Sequence, residues 1–286
     1  MWPAIFILLA LPASGQQRYV RGQNVQPVFE GWDRNADGTY NLHFGYLNRN
    51  WEESPVIPVG EDNGFSPGPA DRGQPTRFYA RRQQTVFTVT VPSNFGKQEL
   101  VWTVKHNGRT DRAVAWLAPF YEFDNTIRRA QRSGTQRQST QEELNDKPPS
   151  IELDGPAALQ VKVDTPLSLA VLVRDDGLPG SARSFRFANE GGAADEAFRQ
   201  PSRPSFPDQD RVSARSASRT GLAVTWLHYR GPADVAFEPV TSPLEKMGGR
   251  GSTIARFSVP GTYVVRAVAN DQIFTVPVDV TVTVVP

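Results

Sequence analysis

Apolar side chains recur at every second position through the last third of the chain. Tyr263, Val265, Ala267 and Ala269 share one face of a segment whose other face carries Arg266 and Asn270. From Phe274 the alternation tightens. Phe274, Val276, Val278, Val280, Val282 and Val284 fall on one side, and Thr275, Asp279, Thr281 and Thr283 on the other. Period two in β-branched residues predicts strands with one buried face. Burying those six apolar side chains is worth roughly 10 kcal/mol gross, at about 1.5–3 kcal/mol each. Such a gain needs a second sheet to pack against, so the pattern predicts a β-sandwich.

The same period appears upstream. Strands are expected at Ser150–Leu153, Leu159–Val163 and Leu167–Arg174, ending in the turn Asp175-Asp176-Gly177. The pattern resumes after Gly221 with Leu222, Val224 and Trp226 on one side. Between them, an insertion at 178–220 is rich in Arg, Ser, Pro and Ala, with scattered Phe185, Phe187, Phe198 and Phe206. A loop of that length inside a domain is a flap of functional interest or a disordered segment. Trp226 on a third strand, Val171 and Ala267 facing across the core, and Tyr263 after Pro260-Gly261 occupy the positions of an immunoglobulin-type core and its tyrosine corner.

The first third repeats the motif with shorter strands: Val28–Trp32, Thr39–Leu47, Val56–Val59, Thr85–Val91, Glu99–Lys105 and Ala113–Leu117. Asn107-Gly108 is a hairpin turn, and the Pro/Gly-rich excursion 52–76 reads as an ordered surface loop. The expected fold class is therefore all-β. It comprises two immunoglobulin-like or fibronectin-like β-sandwich domains, 18–120 and 150–286, joined by a polar linker at 121–149. Arg128, Arg129 and Arg132 in that linker read as solvated charges, with an anion-binding patch as the alternative.

Two resemblances follow from particular residues. Asp175-Asp176-Gly177, Val224-Thr225-Trp226, and Phe257-x-x-Pro260-Gly261-Thr262-Tyr263-x-x-Arg266-x-x-Ala269-x-Asp271 together resemble the PKD-type immunoglobulin-like module of bacterial surface and secreted proteins. That resemblance implies a spacer, adhesive or accessory role. It also implies calcium binding by acidic loop residues as one option, at Asp175, Asp176 and Asp271, against turn-capping as the other. Phe29-Glu30-Gly31-Trp32, Asn35 to Tyr40, Phe44 to Asn50 and Phe95 to Trp102 resemble the N-terminal region of uncharacterised secreted proteins of environmental bacteria. This second resemblance implies export and a β fold, and brings no activity.

Composition narrows the class. In 286 residues, 31 basic side chains nearly cancel 30 acidic ones, so no whole-chain field points to nucleic acid or to anionic membrane. Ala4–Leu11 is apolar but too short to span a bilayer. With Pro12 and the small-x-small run Ala13-Ser14-Gly15, residues 1–15 read as a cleavable signal peptide that leaves Gln16 first and no membrane span behind. The alternative is a buried N-terminal strand. The chain has no cysteine, which excludes a lipid anchor, disulfides, thiol catalysis and Cys-type zinc sites. An exported protein, periplasmic or extracellular, is expected.

Candidate chemistry is thin. Asp33-Arg34-Asn35-Ala36-Asp37-Gly38 matches half of a calcium loop, but Phe44 stands where a bidentate Glu is required. A hairpin turn is the alternative reading. Tyr46, Asn48, Arg49, Asn50 and Trp51 interleave aromatic and polar side chains at a strand end, the composition of a surface that stacks on sugar rings or grips a carboxylate. The competing reading has the aromatics closing a core. His43, His106 and His228 fall on different strands, in no metal-ligand spacing and beside no nucleophile elbow or phosphate loop. No catalytic residue, metal or cofactor is assigned. The expected function is a non-catalytic interaction, adhesion or spacer protein whose partner is a protein or polysaccharide outside the cell. The alternatives are a carbohydrate-binding accessory protein and a hydrolase whose site the sequence does not display.

Overall fold

Alternating segments become strands in a computed structural model that describes residues 19–122, 141–178 and 221–286. The signal peptide expected at 1–15, Arg128, Arg129 and Arg132, and the insertion beyond Leu178 lie outside those residues.

Six strands build the first sandwich: β1 (Val25–Arg34), β2 (Tyr40–Asn48), β3 (Asn63–Ser66), β4 (Arg81–Val91), β5 (Leu100–His106) and β6 (Arg109–Ala115). One sheet has the order β1-β2-β4 and the other β3-β5-β6. Leu42, Phe44 and Tyr46 point into the core from β2, as their spacing requires. Phe44 stacks on Phe87 at 5.4 Å and meets Trp102 edge-on at 6.0 Å, tying the two sheets together. The β5–β6 turn has Asn107 and Gly108 both at positive φ, the geometry that Asn-Gly favours in a two-residue hairpin.

The excursion 52–76 departs from expectation. Val56 makes only an isolated bridge to Arg77, and β3 forms where a loop was expected. The cause is a pair of buried amides. Asn63 donates to the carbonyls of Ile57 and Pro75 and accepts from the Trp102 indole, while Gln74 donates to the carbonyls of Asn63 and Ala70. These bonds satisfy backbone groups that a loop folded inward would otherwise leave unpaired.

Among the described residues, nine strands build the second sandwich: β7 (Ser150–Leu153), β8 (Ala158–Lys162), β9 (Leu167–Arg174), β10 (Ala223–Arg230), β11 (Val235–Glu238), β12 (Thr241–Pro243), β13 (Gly248–Phe257), β14 (Gly261–Asn270) and β15 (Thr275–Val285). Their sheets run β12-β10-β14-β15-β8 and β11-β13-β9-β7, the split between facing layers of an immunoglobulin-like sandwich. Trp226, Val171 and Ala267 lie in the core between the sheets. The Tyr263 hydroxyl donates back to the Val259 carbonyl at 2.8 Å, closing the expected tyrosine corner. A short helix at Gln141–Asn145 interrupts the expected linker.

The alternation of β14 misses one thing. Tyr263, Val265, Ala267 and Ala269 are buried between the sheets, yet Arg266 and Asn270 on the opposite face are buried too. That outer face packs against the first sandwich.

Candidate functional site

The contact between the sandwiches is built from the end of β10 and the middle of β14. Along β10, Trp226 and His228 face the interior of the second sandwich, so the alternating Tyr229 must face outward. It belongs to the buried core of the first sandwich. Its hydroxyl donates to the Gly73 carbonyl at 2.5 Å, and its own carbonyl accepts from the Thr76 N–H at 3.0 Å. Burial pushes the Tyr229 phenol up to about 12, so it stays a neutral donor.

Charged groups frame this ring. The Arg266 guanidinium sits over the Tyr229 face, donates to the Val86 carbonyl at 2.6 Å and pairs in bidentate fashion with Asp279 at 2.7 and 2.8 Å. Burial opposes the charge on Arg266, but the hydrogen bond to Asp279 and the fields of Tyr229 and Asp279 outweigh it, and its pKa is raised. Arg230 forks onto Asp71 at 2.9 and 2.7 Å, and its Nε donates to the Gln74 carbonyl at 2.7 Å. Arg77 pairs with Asp234. The backbone N–H of His228 donates to the Tyr79 hydroxyl, and the backbone N–H of Tyr79 donates to the Tyr46 hydroxyl, both at 2.9 Å.

Two cavities flank the contact. One of about 360 Å³ lies between Arg82–Val86 of β4 and the outer face of the five-stranded sheet, with Leu227, Val268 and Val276 among its walls. The second, of about 260 Å³, opens at the end of the second sandwich between Trp226, His228, Phe237, Arg77, Tyr79 and Asp234.

The strand-end cluster is divided by burial. Tyr46, Asn48 and Asn50 are buried. The Asn48 amide donates to the carbonyls of Glu53 and Phe78, and Asn50 donates to the Gln23 carbonyl and the Asn48 side chain. Only Arg49 and Trp51 face solvent, with Trp51 at 40% exposure. The Arg81 guanidinium lies 4.2 Å from the Trp51 ring centre, and the Arg81 side chain also donates to the Arg49 carbonyl.

The half-match to a calcium loop sits between β1 and β2, strands rather than helices. Asp33 accepts from Asn41 and contacts His43 Nε2 at 2.7 Å, Asn35 donates to Thr39 and Asn41, and Asp37 accepts from both the N–H and the hydroxyl of Thr39. Asp175 accepts from the Gly177 N–H, Asp176 from Leu178, and Asp271 from Ile273 and Phe274. Asp37, Asp175, Asp176 and Asp271 cap turns, while Asp33 is held by side chains of the facing strand β2. His43, His106 and His228 sit on β2, β5 and β10, well apart in the sheets.

Tyr229, Arg230, Arg77 and Tyr79 are not among the residues that the sequence pattern picks out. The one available signal was a Tyr-Arg pair at the end of an otherwise apolar strand, beside a second Arg on the polar face of β14.

No family model matches the chain, and no curated protein matches it by sequence. Among solved structures, the titin Ig tandem domains are 10% identical, with 92% of this chain and 99% of that one covered and a TM-score of 0.22. Domains 4 and 5 of an S-layer protein are 12% identical over 92% and 98%, with a TM-score of 0.23. The D0-D1 domain of intimin is 12% identical over 90% and 97%, with a TM-score of 0.25. Scores this low carry no argument about function, and the fold assignment rests on the chain's own sheets. Among the described residues, no helix is long and apolar enough to cross a membrane.

Proposed function

We propose that the chain is an exported, non-catalytic interaction or adhesion module in which two domains, 18–120 and 150–286, joined by 121–149, act as one stiff unit. The observation that carries this reading is the seat of Tyr229 in the first core, clamped by Arg230, Arg266 and Arg77. A spacer or adhesive arm holds its binding surfaces at a fixed separation only if its sandwiches do not swivel, and hydrogen-bonded aromatic and Arg anchors provide that. The second domain reads as a PKD-type module, and the partner as a protein or polysaccharide in the periplasm or outside the cell. The test pairs two measurements on the full chain. Retention on insoluble polysaccharides and immobilised extracellular proteins is expected. Turnover above blank in an esterase, glycosidase and protease panel would overturn the non-catalytic reading.

A second reading is favoured by Trp51, whose exposed ring is held by Arg81 beside the exposed Arg49. A ring fixed in this way is suited to stacking on a sugar. Tyr46, Asn48 and Asn50 would support that surface from within. Trp51→Ala is then expected to abolish polysaccharide retention with little change in stability, and undiminished retention would count against it.

A further inference from the structure

Strand β4 leaves its register where it meets the second sandwich. Phe87 pairs with Phe44 and Gln83 with Tyr46, so Gly45 of β2 stands opposite three residues, Gln84, Thr85 and Val86. Within that bulge Thr85 has φ 49°. A β-branched side chain rarely adopts this conformation, and it persists only where the surroundings enforce it. Those surroundings are identifiable. The buried Glu30 carboxylate takes a backbone hydrogen bond from Thr85 and pairs with Arg82 at 2.7 Å. Arg82 also donates to the carbonyls of Tyr46 and Gln83, while Arg266 holds the Val86 carbonyl from the other sandwich.

The clamped bulge is one wall of the cavity of about 360 Å³ between the sandwiches. Protein interiors pack densely, so a gap of this size at a domain contact, beside a strained and pinned strand, has the place and dimensions of a ligand site. Its lining selects the occupant. Leu227, Val276 and Val86 supply apolar walls from both sandwiches, and all three keep part of their surface accessible. Gln84, Thr85 and Gln272 add polar side chains without charge. The guanidinium groups at the cavity are each neutralised, Arg82 by Glu30, Arg266 by Asp279 and Arg77 by Asp234. Among the described residues no carboxylate lines it. An anionic head group would therefore find no free cation and a cationic one no acid, and an unpaired charge is costly to take out of water.

We propose that this cavity binds a neutral, mostly apolar small molecule carrying one hydroxyl or amide, seated between the sandwiches and touching both. The site is separate from the Trp51 surface and does not depend on it.

The experiment uses the full chain with ¹³C-labelled Leu and Val methyl groups. It is titrated separately with 1-decanol, decanoate and decylammonium, which share one tail, each below the concentration at which it aggregates. 1-Decanol is expected to shift the methyl signals of Leu227 and Val276 from one sandwich and Val86 from the other, saturably and with a single affinity. Both charged analogues are expected to bind about tenfold more weakly or worse. Leu227→Gln roughly keeps the volume of the side chain and removes apolar wall, so 1-decanol affinity is expected to fall about tenfold. Because the methyl signals are read in the wild-type chain, the result survives a variant that fails to fold. The proposal is overturned if 1-decanol leaves these signals unmoved or moves those of one sandwich only. It is also overturned if a charged analogue binds as tightly, or if a folded Leu227→Gln binds 1-decanol unchanged.

Discussion

The Arg266 guanidinium lies 3.4 Å from the centre of the Tyr229 ring, so a cation from the second sandwich caps an aromatic side chain that completes the first. Both side chains belong to the outer face of the five-stranded sheet, the face that alternation alone assigns to solvent. Desolvation strengthens such a cation–π contact beyond the value of an exposed one.

Tyr229→Phe removes only the hydroxyl bond to Gly73 and is expected to lower unfolding free energy by about 1 kcal/mol. Tyr229→Ala also empties part of a core and is expected to cost about 3–5 kcal/mol. Urea unfolding of both variants measures the difference. A larger loss in Tyr229→Phe than in Tyr229→Ala would contradict the placement of the ring.

The two partners of the Arg230–Asp71 salt bridge should behave unequally. Asp71 is largely exposed, and its pair with Arg230 is worth no more than about 1 kcal/mol, so Asp71→Ala is expected to be mild. Arg230→Ala also strips the Gln74 carbonyl of its Nε donor and is expected to cost more. Thermal melts of the two variants side by side decide the order.

How far these features were legible depends on how local their cause is. The strands β7, β9, β10 and β15, the Tyr263 corner and the Asn107-Gly108 turn follow from period two and from positive φ, both properties of a few adjacent residues. β3 was not legible. Asn63, Gly64 and Ser66 have no strand preference, and the segment pairs because Asn63 is pinned by Ile57, Pro75 and Trp102. In the strand-end cluster, nothing local distinguishes Asn48, which is buried, from Arg49, which is not. Arg266 was placed on the polar face, and only the distant Val86 and Tyr229 turn that face into an interior.

Glycine at position 45 is required for close approach rather than for its backbone angle. A Cβ there would collide with the Glu30 carboxylate and the Gln83 carbonyl. That carboxylate reaches across β2 to pair with Arg82 at 2.7 and 2.8 Å. Gly45→Ala is expected to cost about 1–3 kcal/mol by overpacking and to disrupt the Glu30–Arg82 pair. Gly108→Ala, with open space around it, should cost about 1 kcal/mol from backbone strain alone. Denaturant midpoints of the two variants test the ranking.

His228 sets a pH dependence. Burial first, and the nearby Arg77 second, push its pKa down to about 4 from an ordinary 6.5. In that window the unfolded chain binds a proton that the native chain refuses, so the stability His228 contributes is full above about pH 6.5 and is lost as pH falls to about 4. The loss reaches about 3 kcal/mol at 1.36 kcal/mol per unit. Subtracting the profile of His228→Leu from that of the wild type isolates this contribution. Identical slopes from pH 7 to pH 4 would show that the imidazole is not refusing its proton.

Tyr229 follows the last strand of the first sandwich by more than a hundred positions. At roughly 5–20 residues per second, a ribosome delivers that ring on the order of ten seconds after β6. During that interval the early sheets have every strand they need but an open, greasy seam where one side chain is still owed. Maturation of the N-terminal half is thus timed by the arrival of the C-terminal half, and a nascent chain halted between the two would present that seam to whatever chaperone or translocation machinery receives it.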